Sequence, residues 1–113
     1  MCKHKLLAQN HSGYILFCNG CHRYQLAFGT SLVTLEPKEY ESFCKHVAGL
    51  TQNITYTGFE KEKQVCINVF SANTMMVLNY KELQRLNILL DEAEFTRQIE
   101  FLLKESHIKQ TEN

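Results

Sequence analysis

The chain carries no excess of either charge: 12 lysine and arginine residues balance 12 aspartate and glutamate residues. That balance removes the electrostatic footprint of a nucleic-acid or anionic-membrane binder, so neither partner is expected. Only a local basic patch at Lys3, Lys5 and Arg23 runs against it. Long apolar runs are missing too. Leu86 to Leu90 is interrupted by Asn87 and ends at Asp91, far short of the roughly 18 to 20 residues that cross a bilayer. Met1-Cys2-Lys3-His4-Lys5 leads only to Leu6, Leu7 and Ala8 before polar Gln9, which is no export signal, so a cytoplasmic location is expected. Tryptophan is absent, proline occurs once and cysteine five times. An odd number of thiols in a reducing compartment disfavours a disulfide framework and leaves metal binding or burial to explain them. Against these absences, 44% hydrophobic residues in a chain of 113 suit one domain with its own core.

The first third reads as a β-meander. Leu6 to Gln9 and Tyr14 to Cys18 are short extended segments joined by Asn10-His11-Ser12-Gly13. A second reversal is expected at Asn19-Gly20, where both residues tolerate positive φ. Tyr24 to Phe28 and Ser31 to Leu35 complete the meander around Gly29. Pro37 then opens a helix whose apolar face is Tyr40, Phe43, Cys44 and Val47, with Gly49 as a stop. Ile54 to Phe59 and Gln64 to Phe70 read as a hairpin about Glu60-Lys61-Glu62-Lys63, and Met75 to Leu78 as a further strand. From Tyr80, Leu83, Leu86, Leu90 and Ala93 form a helical stripe. Phe95, Ile99, Leu102 and Leu103 form a second stripe rotated from the first, which predicts a kink or break near Glu94. Residues 95–104 also alternate, so a terminal strand competes with helix, and helix is preferred. Gly29 to Leu50 laid on Ala72 to Ala93 matches Leu35 with Leu78, Lys38 with Lys81 and Glu39 with Glu82, a faint internal echo. The expected fold is α+β: an antiparallel sheet of hairpins covered on one face by two helices. It forms a single domain over 1–106, with a metal-binding hairpin at 1–23 and a polar tail at 107–113.

Five metal-ligating side chains fall within the first 22 residues: Cys2, His4, Cys18, Cys21 and His22. If the first hairpin loop centres between His11 and Ser12, Lys5 faces Cys18 and Cys2 faces Cys21, so both ends of the cluster meet. Cys2 and His4 are two apart and share a face of an extended segment, while the Asn19-Gly20 turn lets Cys18 and Cys21 converge. Three thiolates and an imidazole suit Zn2+, which accepts tetrahedral sulfur and nitrogen ligands, and Cys-x2-Cys is its usual thiolate pair. The expected site is Cys2, His4, Cys18 and Cys21. Its shell is full, so the metal is structural, and His22 is the substitute for Cys2.

Cys18-Asn19-Gly20-Cys21 resembles a zinc-ribbon knuckle, a likeness confined to Cys2–His22 and departing from the pattern at Cys2-x-His4, one residue tighter than a knuckle. More broadly, the CKHK opening, CNGCH and QLAFGT are similar to an uncharacterised family of short bacterial proteins, which implies no activity. Other readings of the cluster stand beside zinc. Cys18-x-x-Cys21-His22 fits c-type haem attachment, and Cys18 with Cys21 fits a thiol-redox pair, although redox pairs usually open a helix. Cys18 and Cys21 as plain strand residues is a further reading.

Elsewhere no catalytic pair is visible. Cys44 and His46 diverge by about 200° on a helix, and Cys44 and Cys66 read as buried small hydrophobes. Without a phosphate loop or nucleophile elbow, the expected function is a small zinc-binding accessory or interaction module. Its partner is another protein or a second copy docking on a sheet edge or apolar face. The alternative is an enzyme or redox protein using Cys18, Cys21 and His22.

Overall fold

The computed structural model describes residues 3–53, 65–69 and 73–111. The chain runs β1 (His4–Asn10), β2 (Gly13–Cys18), β3 (Arg23–Phe28), β4 (Ser31–Leu35), α1 (Pro37–Asn53), β5 (Val65–Val69), β6 (Thr74–Leu78) and α2 (Tyr80–Thr111). The fold is α+β. Within the described residues, the strands form two antiparallel ladders, β1-β2-β3-β4 and β5-β6, where one sheet was expected. The expected strand at Ile54 to Phe59 and the turn after it lie outside the described residues.

Alternation puts Ile15, Tyr24, Leu26, Phe28, Val33 and Leu35 on one face of the larger sheet, all buried. Val65, Ile67, Val69, Met76 and Leu78 bury one face of the smaller sheet in the same way. Both faces, with Phe43 and Val47 of α1 and Leu83, Leu86, Leu89, Leu90 and Ala93 of α2, form one continuous core. Such a core is the main favourable term in folding.

The first turn is locally determined. The Asn10 side-chain oxygen accepts the Ser12 N–H at 2.8 Å and the Gly13 N–H at 3.1 Å, an arrangement that short polar side chains favour. A Cβ on Gly13 would collide with the carbonyl oxygen of Ala27 on the neighbouring strand, so the close approach of β2 and β3 requires glycine. The β1–β2 register starts as expected, Asn10 opposite Gly13, then shifts at an irregularity between Leu6 and Ala8. Leu7 and Ala8 are consecutive yet both buried, which a regular strand would not allow. The shift corrects the expected pairing: Cys18 lies opposite His4, and Lys5 opposite Phe17.

Both helices start the same way. In α1 the Glu36 N–H donates to the Glu39 carboxylate at 2.8 Å. In α2 the Asn79 N–H donates to Glu82 at 2.9 Å, and the Glu82 N–H returns a bond to the Asn79 side chain at 2.8 Å, a full capping box. Glu39 and Glu82 are one of the pairs matched by the internal echo, and the same alignment of 29–50 on 72–93 sets Glu36 on Asn79, so corresponding residues occupy corresponding places at the two helix starts. Gly49 does not stop α1, which continues to Asn53. Nor does α2 break into two elements: it is one helix of 32 residues, and 95–104 is helical.

The two glycines predict substitutions of opposite sign. Gly13→Ala should destabilise by about 2 kcal/mol or more through backbone collision. Gly49→Ala, at a helical position with open space for a Cβ, should stabilise by about 0.5 to 1 kcal/mol. Urea unfolding midpoints measure both; a tolerated Gly13→Ala would contradict the strand packing described.

Candidate functional site

The candidate metal ligands converge in part. His4 begins β1 and pairs across the ladder with Cys18, the last residue of β2, so the two side chains share a face. A four-residue loop, 19–22, returns the chain to Arg23, which also pairs with Cys18. The positive φ that this loop needs is taken by His22, at 56°, rather than by Asn19 or Gly20. The His22 N–H donates to the Cys18 carbonyl at 2.9 Å, and the Asn19 N–H donates to the Lys3 carbonyl at 3.1 Å, tying the loop to both neighbouring strands. The Cys21 N–H points at the Cys18 sulfur, 3.5 Å away.

Cys18 is buried, whereas His4, Cys21 and His22 are exposed. The His22 ring sits 6.1 Å from that of Phe17. The structure thus brings His4 to Cys18 across the ladder and Cys21 to Cys18 around the loop. Among the described residues no three His, Cys, Asp or Glu side chains stand together as a metal cage, and Cys2 lies outside them. The pair Cys18 and Cys21 lies on a strand-to-strand loop, so no helix dipole acts on either thiol.

A second cluster, between α1, α2 and β3, went unread in the sequence. Tyr24 and Tyr40 stack with centroids 3.8 Å apart and planes 4° from parallel, and Phe17 lies 4.8 Å from Tyr24. The Tyr40 hydroxyl is buried and meets no partner of hydrogen-bonding geometry among the described residues. Beside it, burial pushes the Cys44 thiol up to about 11, and the Tyr40 phenol moves upward for the same reason. Arg97 donates two hydrogen bonds to Glu94, at 2.6 and 3.0 Å, and these hold the Glu94 carboxyl below its ordinary value. The hollow between the helices has a volume of about 440 Å³. A protonated thiol beside a neutral phenol, with the nearby carboxylate locked onto guanidinium, is the reverse of an activated nucleophile. Helix periodicity presents Tyr40 and Cys44 merely as core residues; Glu94 and Arg97, three apart, were the available signal.

A family model matches residues 1–113. The chain belongs to the family of unknown function DUF6686. No curated protein and no solved structure matches it.

The third feature of this DUF6686 chain is the outer side of α2. Leu83, Leu86, Leu89, Leu90 and Ala93 face the core, but beyond them Phe95 is 64% exposed, Ile99 40% and Leu102 61%, aligned with Ile88 at 53%. At about 100° per residue, this outer stripe lies some 170° around the helix from the buried one. The residues that continue the inner stripe are Arg97, Glu100 and Lys104, and Glu100 reaches the sheet through an ion pair with Lys5 at 2.7 Å. No helix among the described residues is long and apolar enough to cross a membrane.

The half-buried Cys44 thiol predicts an alkaline signature. The fold favours neutral Cys44, so the stability this contributes is complete below the ordinary value of 9.0 and is lost as pH rises through about 11. Thermal midpoints should therefore fall as the pH climbs through this window, and Cys44→Ser should make the fall shallower. An unchanged slope would remove Cys44 from that linkage.

Proposed function

We propose that the chain is a small cytosolic interaction module, structurally secured by Zn2+ at its N-terminal hairpin and without chemistry of its own. The observation that carries this reading is the outer apolar stripe of α2. A monomer seldom exposes a contiguous apolar patch of more than a few hundred Å², and larger ones mark sites of association. Ile88, Phe95, Ile99 and Leu102 recur at the seven-, four- and three-residue spacings of a helix-pairing seam, suited to a partner protein or a second copy.

In this reading the metal is held by Cys2, His4, Cys18 and Cys21. Three features support it: the register shift that sets His4 opposite Cys18, the loop that returns Cys21 toward it, and the N–H directed at the Cys18 sulfur. A full set of four ligands leaves no open position for activated water, so the ion would tie the segment carrying Cys2 and His4 to the 19–22 loop and stabilise the hairpin.

Untagged, metal-replete protein should hold about one zinc per chain by elemental analysis, and Cys18→Ser or Cys2→Ser should reduce it. Zinc-free protein from such a preparation would end the metal reading. The stripe is tested separately with Phe95→Glu combined with Leu102→Glu, compared with wild type under dilute, monomeric conditions. The thermal midpoint should stay within about 3 °C, because exposed positions contribute little to the chain's own stability. A collapse of the fold would assign the stripe to the chain's own core.

A further inference from the structure

The apolar face of the larger sheet extends one row beyond the apolar face of α2. Strand pairing sets Lys5, Phe17, Tyr24 and Leu35 side by side across β1 to β4. Over the β1 to β3 part of that row, the helix presents Arg97, Glu100 and Lys104 in place of the leucines that seal the core further back. A hollow of about 410 Å³ remains between sheet and helix. Its walls include the aromatic rings of Phe17, Tyr24 and Phe101, and its charges are Lys5, Arg97 and Lys104 against the single carboxylate Glu100.

We propose that this hollow binds a small molecule made of a flat aromatic ring bearing one anionic group. The volume lies within the range of small-ligand sites, which are mostly apolar with a few placed polar groups. Three aromatic side chains supply faces and edges for stacking or edge-to-face packing of a ring. The charges select the sign. Lys5 is engaged by Glu100 and Arg97 by Glu94, which leaves Lys104 as the lining cation with no partner among the described residues. One cation without a partner among the described residues, on a wall that also carries three rings, matches one carboxylate on an aromatic body better than it matches a polyphosphate. The site lies on the inner side of α2, so the inference stands apart from the interaction reading and survives its failure.

The test is isothermal titration with 2-naphthoate, alongside 2-naphthol and cyclohexanecarboxylate at the same pH and salt. Saturable 2-naphthoate binding is expected, weakening with ionic strength, with each of the other two compounds about tenfold weaker or undetectable. Lys104→Glu and Phe101→Ala alter exposed side chains and should leave the circular dichroism spectrum unchanged while each weakens 2-naphthoate about tenfold; Lys104→Arg should keep it. No saturable binding, equal binding of 2-naphthol, or wild-type affinity in both Lys104→Glu and Phe101→Ala would overturn the proposal.

Discussion

Helix α2 is asked to do two incompatible things with one apolar stripe, and its solution governs the rest of the molecule. Up to Ala93 its leucines seal the core; from Phe95 the apolar positions move to the opposite side while the backbone continues without a break. Burying Leu83, Leu86, Leu89 and Leu90 fixes the first three turns, since each fully buried leucine contributes on the order of 2 kcal/mol. The helix then carries its outer stripe beyond the core. Because the inner side becomes charged at the same point, the sheet's aromatic row is left partly unsealed. The exposed stripe and the hollow over Phe17 and Tyr24 are therefore two results of one change of face.

What anchors this arrangement is modest and local. The Asn79–Glu82 capping box sets where α2 begins and hence which residues meet the core, and the corresponding Glu36–Glu39 contact does the same for α1. Past the core, the Lys5–Glu100 ion pair links α2 to β1. Both partners are partly exposed, so its contribution is small and sensitive to salt, and it orients the helix more than it stabilises it. The β1 irregularity at Leu7 shapes the same end of this strand pair, turning two consecutive side chains inward and placing His4 opposite Cys18.

Much of this was legible in the sequence, for identifiable reasons. Alternation in Tyr24 to Phe28 and the 3.6-residue recurrence of Leu83, Leu86, Leu90 and Ala93 are strong periodic signals, and they locate strands and helices correctly. The irregularity at Leu7 has no such signal: a single inserted residue in a strand changes every pairing after it, which is why Lys5 rather than His4 was expected opposite Cys18. The rotation of the apolar stripe at Glu94 is legible, but it does not mark a break in the backbone, because periodicity reports which side is apolar and not whether the helix continues. Gly49 suggests a stop because glycine often follows a helix end, yet tertiary contact through Val47 and Leu50 carries α1 past it. The Tyr24–Tyr40 stack depends on elements distant in sequence, and no local pattern announces it. At the candidate metal site, residue types and loop composition were readable, and the sulfur-directed N–H of the 19–22 loop came only with the structure.

Helix α2 passes from core to solvent as one uninterrupted helix. Backbone chemical shifts and amide exchange measured by NMR across residues 91–99 test it most directly. Helical carbon shifts are expected at every residue from Asp91 to Ile99, with amides from Ala93 to Arg97 exchanging far more slowly than an unstructured chain. Coil-like shifts with rapid exchange at Glu94 and Phe95 would contradict it, since a hinge there would let the outer residues fold back onto the core and leave neither an exposed stripe nor an open hollow.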